Sequence, residues 1–529
     1  MTLATTPLSN GDSAAVTNGE IDQVKSWEKS MENLAESCAP CGTAEDAIGN
    51  DEDISAPAPH PPSLAVPEPS PPSPKVPAQS TVDPGPLRRV PSSDDPDSLL
   101  RPVPDVGGVP TTVGENAGKA PPSLTRQGSI IGRLRRKTAE VPTDLWGQPG
   151  YLTEEEVSVY MSFVEIVRVR PAEFRKTLFS FGDEEDEPYC YCRWLRARKF
   201  VIKDVIKMVE EAAAVQVEPA KHDFHPDGEE ALGCPVEFYM TLYPQIYAGN
   251  ARNGCPVFFS RPGAINIDGV ECLTSMERLL HLHWNVMMHD FSARLHEKKD
   301  QDPDFKRFEC ISILDLAGLT PTKINRKVLS IIQDQSRIDS LCFPETMNKM
   351  VIVNAPGYFT ASWSIIKGFL DPRTRNKIEI ISSRKTWEKR LIELIEPSLL
   401  PSDYGGTATS TTELLLKQGT GDCLRRFNEV IYVRSSHTSQ VDLAVGETID
   451  ITIYTSSTSG AKFSVIDAKK QLLIPEVEVI HKIIPNSDLP TNVKIGKISG
   501  PGHFKIRAKG TSRFSSSVFF IIGDIKAGG

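Results

Sequence analysis

LCFPETMNKMVIVNAPGYFTASWSIIKGFLDPRTRNKIEIIS, residues 341–382, decides how the rest of the chain is read. Residues 350–353, MVIV, form an apolar run without alternation, which predicts a strand buried on both faces. NAPG at 354–357 is a turn. Phe359, Trp363, Ile366 and Leu370 recur at helical spacing, while Ile365 and Phe369 lie off that stripe. Residues 359–370 therefore predict a helix that is apolar most of the way round. Such a helix is wrapped by protein or touches something oily. Asp371 caps the next turn, and Pro372 is preset for the first helical position. That turn carries Arg373, Thr374, Arg375 and Lys377, and IEII at 378–381 predicts a second buried strand. An oily helix beside cations and a hydroxyl suits a molecule with a hydrocarbon body and an anionic head.

A chain of 529 residues has room for two or three domains. Its 42 prolines and 7% aromatic content predict that part of it does not fold. A net charge of −10 argues against a general nucleic-acid binder, so any contact with phosphate or membrane needs a local basic patch. No apolar run approaches the roughly 20 residues that span a bilayer. The opening MTLATTPLSNGDSAAV lacks the basic start and apolar stretch of a secretory signal. The ten scattered cysteines are then expected to be reduced thiols of a cytoplasmic protein.

Residues 1–145, rich in Pro, Ser and acidic side chains, are expected to be disordered. Cys38 and Cys41 have C-x-x-C spacing, but no strand precedes them, which argues against a redox or metal role. The charge changes sign at 126–137, RQGSIIGRLRRK, with five basic and no acidic residues. That run can lean on an anionic membrane, and Ser92 and Ser129 follow arginines in the manner of basic-directed kinase sites; plain linker is the other reading.

Folded sequence is expected from about Tyr151. Thr153 with Glu156 is a capping box, and Val157, Met161 and Val164 mark the face of the helix beyond it. A second helix falls near 171–181, and GDEEDEP at 182–188 is an acidic loop. YCYCRWLRARKF and VIKDVIKMVEEAAAVQ predict two more helices. From His222 strands and helices alternate: a strand at 255–261, a long helix at 271–295, a strand at 310–316 and a helix at 323–340. This order means a mostly parallel sheet with crossover helices. His281, His283 and His289 share one helix but face different ways, so they do not jointly hold a metal. A Ser/Thr/Gly-rich linker follows at 409–425. Seven short strands are then predicted over 426–526, at 429–433, 448–454, 462–466, 476–484, 492–498, 503–508 and 516–522, which reads as a β-sandwich.

The composite WLRARKF, GCPVFF, LDLAGL and FPET…VIVNAP…FLDPRTRNKI…LLPSDYGGT resembles the CRAL-TRIO family of lipid-transfer proteins over about 151–407. The resemblance implies a helical N-terminal lobe at 150–222 and a lipid-binding α/β domain at 223–408, with the helix from Phe359 acting as a gate. The C-terminal sandwich looks like the GOLD domain that follows CRAL-TRIO in patellins, although its tail lacks the Asp-Asn-Ser turn many GOLD domains carry. The gate has a physical rationale. A phospholipid with about thirty methylenes at ~0.8 kcal/mol each would cost on the order of 25 kcal/mol to expose, which calls for an enclosed cavity and a lid.

In phosphatidylinositol-transferring members of the family the headgroup is held by positions that here are Arg198, Lys199, Glu345, Thr374 and Lys377. For Arg198 and Lys199 the plainer alternative is a structural ion pair with the acidic loop; for Thr374 and Lys377 it is ordinary helix decoration. Phe359, Trp363, Ile366, Phe369, Leu370 and Ser312 would line the cavity and gate. Two departures from the pattern stand out. Val201 replaces the usual Asp, which is expected to shift the next helix start toward Asp204. Cys310 and Ser312, with Trp284, Val286 and Met287 on the preceding helix, leave Ser312 as the one clear match to the phosphatidylcholine-binding pattern.

The expected function is non-enzymatic binding and transfer of phosphatidylinositol or a phosphoinositide between membranes, with the bound phospholipid as ligand and no cofactor. Lys367, Arg373, Arg384, Lys385, Lys389 and Arg390 would meet the anionic membrane surface peripherally, and the GOLD-like domain would recruit a protein partner or orient the gate. A trafficking adaptor that senses lipid and a carrier of a tocopherol or retinoid are the alternatives. No G-x-S-x-G, H-E-x-x-H or G-x-x-x-x-G-K-[ST] suggests an enzyme.

Overall fold

The computed structural model describes residues 145–528 apart from 369, 371, 418–422, 486, 513 and 514. The expectations for Cys38, Cys41, Ser92, Ser129, the basic run at 126–137, Phe369 and Asp371 lie outside the described residues.

Helix α1 (Glu154–Val169) starts at the capping box, in which the Thr153 hydroxyl accepts from the Glu156 amide and the Glu156 carboxylate accepts from the Thr153 amide. Its buried face is Tyr160, Phe163, Val164 and Val167. Met161, expected inside, is exposed. The two rings decide the rotation, because Phe163 meets Tyr191 edge-on at 5.5 Å and aromatic burial outweighs a methionine. Helices α2 (Ala172–Leu178), α3 (Glu187–Ala197) and α4 (Ile202–Ala220) complete the lobe. Trp194 of α3 donates to the Leu178 carbonyl at 2.9 Å and ties α3 to α2.

Helix α4 begins at Ile202 and is not displaced toward Asp204. Val201 occupies the N-cap in extended conformation, without a side-chain cap bond. The tight turn before it sets the start. Lys199 and Phe200 both take left-handed backbone conformations, and the buried Phe200 returns its amide to the Leu195 carbonyl at 2.7 Å. Asp204 then falls in the first turn, where a carboxylate favours the helix dipole.

Two short helices that sequence patterning missed follow, α5 (Gly228–Leu232) and α6 (Val236–Leu242). The α/β order is then β1 (Gln245–Asn250), β2 (Pro256–Ser260), α7 (Ile267–Leu273), α8 (Met276–Asn285), a π-helical turn (Val286–Phe291), α9 (Ser292–Gln301), β3 (Cys310–Asp315) and α10 (Arg326–Cys342). It closes with β4 (Met347–Val353), α11 (Phe359–Ile366), α12 (Pro372–Asn376), β5 (Ile378–Ile381) and α13 (Arg384–Leu394). The single helix expected at 271–295 is broken at Thr274 and Ser275, because the Ser275 hydroxyl accepts from the Arg278 amide and starts α8 afresh.

The sheet order is β1-β2-β3-β4-β5, with β1 antiparallel and the other pairs parallel. Register alternates its two faces. Ile246, Phe259, Ile313 and Val351 lie in one cross-strand row and are buried with Trp387 and Leu391 of α13. The opposite row is Tyr247, Phe258, Ser312, Met350 and Ile378, every member only half-buried. Residues 351–353 are buried on both faces as expected, Ile352 beneath Phe359, and Met350 alone in that run is half-buried. For 378–381 the expectation is corrected, since none of its residues is fully buried and Ile380 is exposed.

The segment read as linker holds a helix, α14 (Thr411–Lys417). Eight strands follow, not seven: β6 (Cys423–Val433), β7 (Ser436–Leu443), β8 (Glu447–Thr455), β9 (Ala461–Ile466), β10 (Leu472–Val479), β11 (Thr491–Ser499), β12 (Gly502–Gly510) and β13 (Ser517–Ala527). They form two four-stranded antiparallel sheets, β10-β9-β12-β7 and β11-β8-β13-β6. The outer face of the second sheet, through Val430, Tyr454, Phe520 and Ile522, packs on Tyr239, Leu242, Val270 and Leu273. Arg278 to Asp488 at 2.9 Å and Arg426 to the Glu237 carbonyl at 2.8 Å fasten the seam.

Candidate lipid-binding site

Helix α11 ends at Ile366, so Leu370 lies beyond it, not within the expected helix of 359–370. Phe359 is buried with Leu316 and Ile352. Trp363 and Ile366 pack against that cluster together with Leu314, Met350 and Ile378, and Phe359 and Trp363 stack with centroids 6.3 Å apart. The helix therefore lies on the β3–β5 half of the open sheet face. The β2 half is met by the π-helical turn, with Phe258 and Phe291 edge-on at 6.0 Å. Ser312 stands on this face between the two coverings, half-buried with its neighbours.

Charge gathers where this face begins. Glu345 follows α10 in a left-handed backbone conformation, and its side chain is 5% exposed. Lys377 Nζ lies 2.8 Å from its carboxylate, Arg196 3.3 Å and Arg373 3.7 Å. Burial alone would raise the Glu345 carboxyl, but Lys377, Arg196 and Arg373 outweigh it and hold the group below the usual carboxylate range. Lys377 also donates to the Met347 carbonyl at 2.8 Å, and Arg373 to the Ala197 carbonyl at 3.0 Å, tying together β4, α12 and the end of α3. Lys377 immediately precedes Ile378, the last residue of the half-open apolar row. Thr374 is half-buried one turn before Lys377.

Of the five headgroup candidates, Glu345 and Lys377 are in direct contact. Arg198 faces a groove of about 500 Å³ between α4 and α10, together with Glu211, Ala214, Val215, Arg337, Ser340 and Leu341. Lys199 is exposed. Among the described residues the ion pair with the acidic loop is made by Arg193, which reaches Glu185 at 2.7 Å, with both side chains buried, and donates to the Pro344 carbonyl at 2.8 Å. Sequence reasoning missed Arg196, Arg337 and Ser340, and assigned Arg373 to the membrane. A signal was available for Arg196: Arg193 and Arg196 stand three apart on one face of α3, whereas Arg198 and Lys199 follow its last turn.

The motifs LDLAGL, VIVNAP and SDYGGT meet in a structural node. Buried Asp315 accepts from the Ala317 amide at 2.9 Å, Asn354 Nδ2 at 2.8 Å and the Tyr404 hydroxyl at 2.8 Å. Trp387 Nε1 donates to Asn354 Oδ1 at 3.1 Å. These bonds join the ends of β3 and β4 to α13 and to Tyr404.

The basic patch around α11 is smaller than expected. Arg373 turns inward, Arg384 pairs with Glu388, and Arg390 pairs with Glu379 and Glu393. Lys367, Lys385 and Lys389 carry no ion pair among the described residues. No group of three or more His, Cys, Asp or Glu side chains that could hold a metal ion occurs among the described residues. No helix among them is long and apolar enough to cross a membrane.

A model of the CRAL/TRIO domain matches residues 241–406. The chain is 31% identical over 268 residues to the SEC14 cytosolic factor of Eremothecium gossypii, a match covering 50% of this chain and 80% of that protein. The chain belongs to the CRAL/TRIO family. It is also 30% identical over 268 residues to the SEC14 cytosolic factor of Kluyveromyces lactis, over 50% of this chain and 81% of that one. It is 30% identical over 268 residues to the phosphatidylinositol/phosphatidylcholine transfer protein SFH9 of Arabidopsis thaliana, over 48% of this chain and 42% of that one. The chain spans 40% to 50% of the length of the plant relatives SFH9, SFH12 and SFH4. The antiparallel C-terminal region is consistent with a GOLD-like domain.

Proposed function

We propose that this protein binds phosphatidylinositol, or a phosphoinositide, and carries it between membranes without catalysing a reaction. The observation that carries the reading is one juxtaposition. An apolar sheet face that protein only half covers runs directly into a buried carboxylate ringed by three cations. With α11 lifted from Met350 and Ile378, on which it packs in this structure, acyl chains would lie over Phe258, Ser312, Met350 and Ile378, and Phe359, Trp363 and Ile366 would close over them. A lipid phosphate would compete with Glu345 for Lys377, Arg373 and Arg196, in charge-assisted hydrogen bonds of the strongest kind. Arg198 and Lys199, with Thr374, would engage the headgroup from the groove side, where Arg337 and Ser340 add donors. In this reading 150–222 is the helical lobe, 223–408 the lipid domain, 409–425 the connection and 426–526 the GOLD-like domain. The protein meets membranes peripherally through Lys367, Lys385 and Lys389. The names of the relatives, phosphatidylinositol/phosphatidylcholine transfer proteins among them, support the same ligand class.

The test is exchange of fluorescent phosphatidylinositol between vesicles. Arg373→Ala/Lys377→Ala should abolish exchange while leaving the helical content intact. A double variant that exchanges at the wild-type rate ends the proposal. Recovery of a tocopherol or retinoid, and no phospholipid, in mass spectra of the purified protein would favour an apolar-ligand carrier instead.

A further inference from the structure

The sandwich packs on the CRAL/TRIO domain through one sheet and turns the outer face of the other, β10-β9-β12-β7, to solvent. Strand β12 places Lys505, Arg507 and Lys509 on that face, all exposed and about 6.8 Å apart along the strand. Their cross-strand neighbours are Gln440, Thr438 and Ser436 on β7 and Ile466, Ser464 and Lys462 on β9; none is acidic, and Lys462 places a further cation opposite Lys509. None of the three carries an ion pair among the described residues.

The adjoining β9–β10 hairpin adds a second, independent feature. Asp467 closes its turn, accepting from the Gln471 amide on its carboxylate at 2.7 Å and from the Lys470 amide on its carbonyl at 3.0 Å. The turn holds Lys469 and Lys470 outward, and the strand leaving it exposes Leu472 by 55% and Leu473 by 40%. Lysines beside bare leucines on a fixed turn suit the interface of a bilayer, where hydrocarbon enters the headgroup layer and ammonium groups stay at its surface. The charge is local, since Lys462 is engaged by Glu476 and His503 by Asp442 on the same face.

We propose that this face and hairpin form a docking surface for an anionic lipid bilayer, separate from the gate region. Lys469, Lys470, Lys505, Arg507 and Lys509 provide the electrostatic contact, and Leu472 and Leu473 the shallow insertion. This rests on the reading that the protein works at membranes, and it adds a second contact to the small one at Lys367, Lys385 and Lys389. An acidic protein partner would use the cations but has no need of the leucines.

The experiment uses the full chain and flotation on phosphatidylcholine vesicles with and without phosphatidylserine. Each cation near an anionic leaflet contributes about fivefold in partitioning, so Lys469→Gln/Lys470→Gln/Lys505→Gln should weaken binding about a hundredfold, and raised salt should do the same to wild type. Leu472→Ser/Leu473→Ser should weaken it about tenfold, with little salt dependence. All five positions are exposed, so folding is retained. If either variant floats within about threefold of wild type, the proposal is overturned. Loss of binding to an acidic protein, with flotation unchanged, overturns it equally. Exchange of phosphatidylinositol between neutral vesicles separates this inference from the transfer reading. Both variants should keep wild-type exchange; absent exchange in wild type removes the transfer reading and leaves the flotation result standing.

Discussion

Glu345→Gln separates a structural carboxylate from a stand-in for ligand phosphate. The substitution keeps shape and removes one charge. Its backbone demand is unchanged, because Gln tolerates the left-handed conformation no worse than Glu. The consequence lies in the three cations within 4 Å of the carboxylate, since Arg196 is as buried as Glu345 itself and Lys377 nearly so. With the carboxylate gone these charges face one another without compensation, and the new amide turns a donor toward a guanidinium. Removing one partner of a buried ion pair costs about 3–5 kcal/mol. For a domain of this size that corresponds to a fall in Tm of roughly 6–20 °C. A bound phosphodiester returns a negative charge to the same cations, so the loss should shrink to about 1–2 kcal/mol in protein loaded with phosphatidylinositol. The assay is urea unfolding of Glu345→Gln and wild type, each stripped and each lipid-loaded. Equal losses in both states would refute the idea that phosphate and Glu345 compete for one set of cations. A loss under about 1 kcal/mol in the stripped protein would refute the buried-cluster energetics altogether.

Tyr404→Phe deletes one of the hydrogen bonds to the buried Asp315 carboxylate and should cost about 1.5–3 kcal/mol in urea unfolding, with headgroup affinity unchanged. Val201→Asp supplies the missing N-cap of α4 at a half-exposed position and should stabilise the protein by about 1 kcal/mol, read as a higher urea midpoint. Acid should destabilise through Glu379 and Glu345. The Arg390 hydrogen bonds, reinforced by Lys349, pull the Glu379 carboxyl down to about 2, and Glu345 is lowered as well. Both are held below the ordinary range of about 4.3, so their stabilisation is fully present above it and is lost as pH falls through the lower folded values. Urea midpoints measured downward from neutral pH should fall in that window, and Glu379→Gln should flatten the fall.

The architecture was legible because period and punctuation agree over most of the chain. MVIV and IEII are strands, the capping box opens α1, and the alternation of strand and helix yields a mainly parallel sheet. The failures have identifiable causes. Strand β7 was missed because Ser436, Thr438 and Gln440 give it an almost wholly polar outer face and its β-branched content is low. Apolar spacing continues across the cap at Ser275, and spacing alone does not distinguish a continuous helix from two that abut. The partial exposure of β5 is invisible in IEII, since MVIV, whose last three residues are buried on both faces, is spelled with the same kind of residues.

The same limit governs the site. Glu345 and Lys377, two of the positions the resemblance names, are in contact, but the other charges around Glu345 come from Arg196 and Arg373, which it does not name. Neither choice follows from residue type. Arg193, Arg196, Arg198 and Lys199 are four cations in seven residues, and only the end of α3 at Ala197 decides which of them point inward. Up to that residue helical phase carries Arg193 and Arg196 to the buried side; beyond it the left-handed turn at Lys199 and Phe200 sends the chain elsewhere. A helix terminus, set by the buried Phe200, thus distributes the charges between an internal cluster and an external groove. Moving that terminus by one turn would exchange their roles without changing a single charged residue.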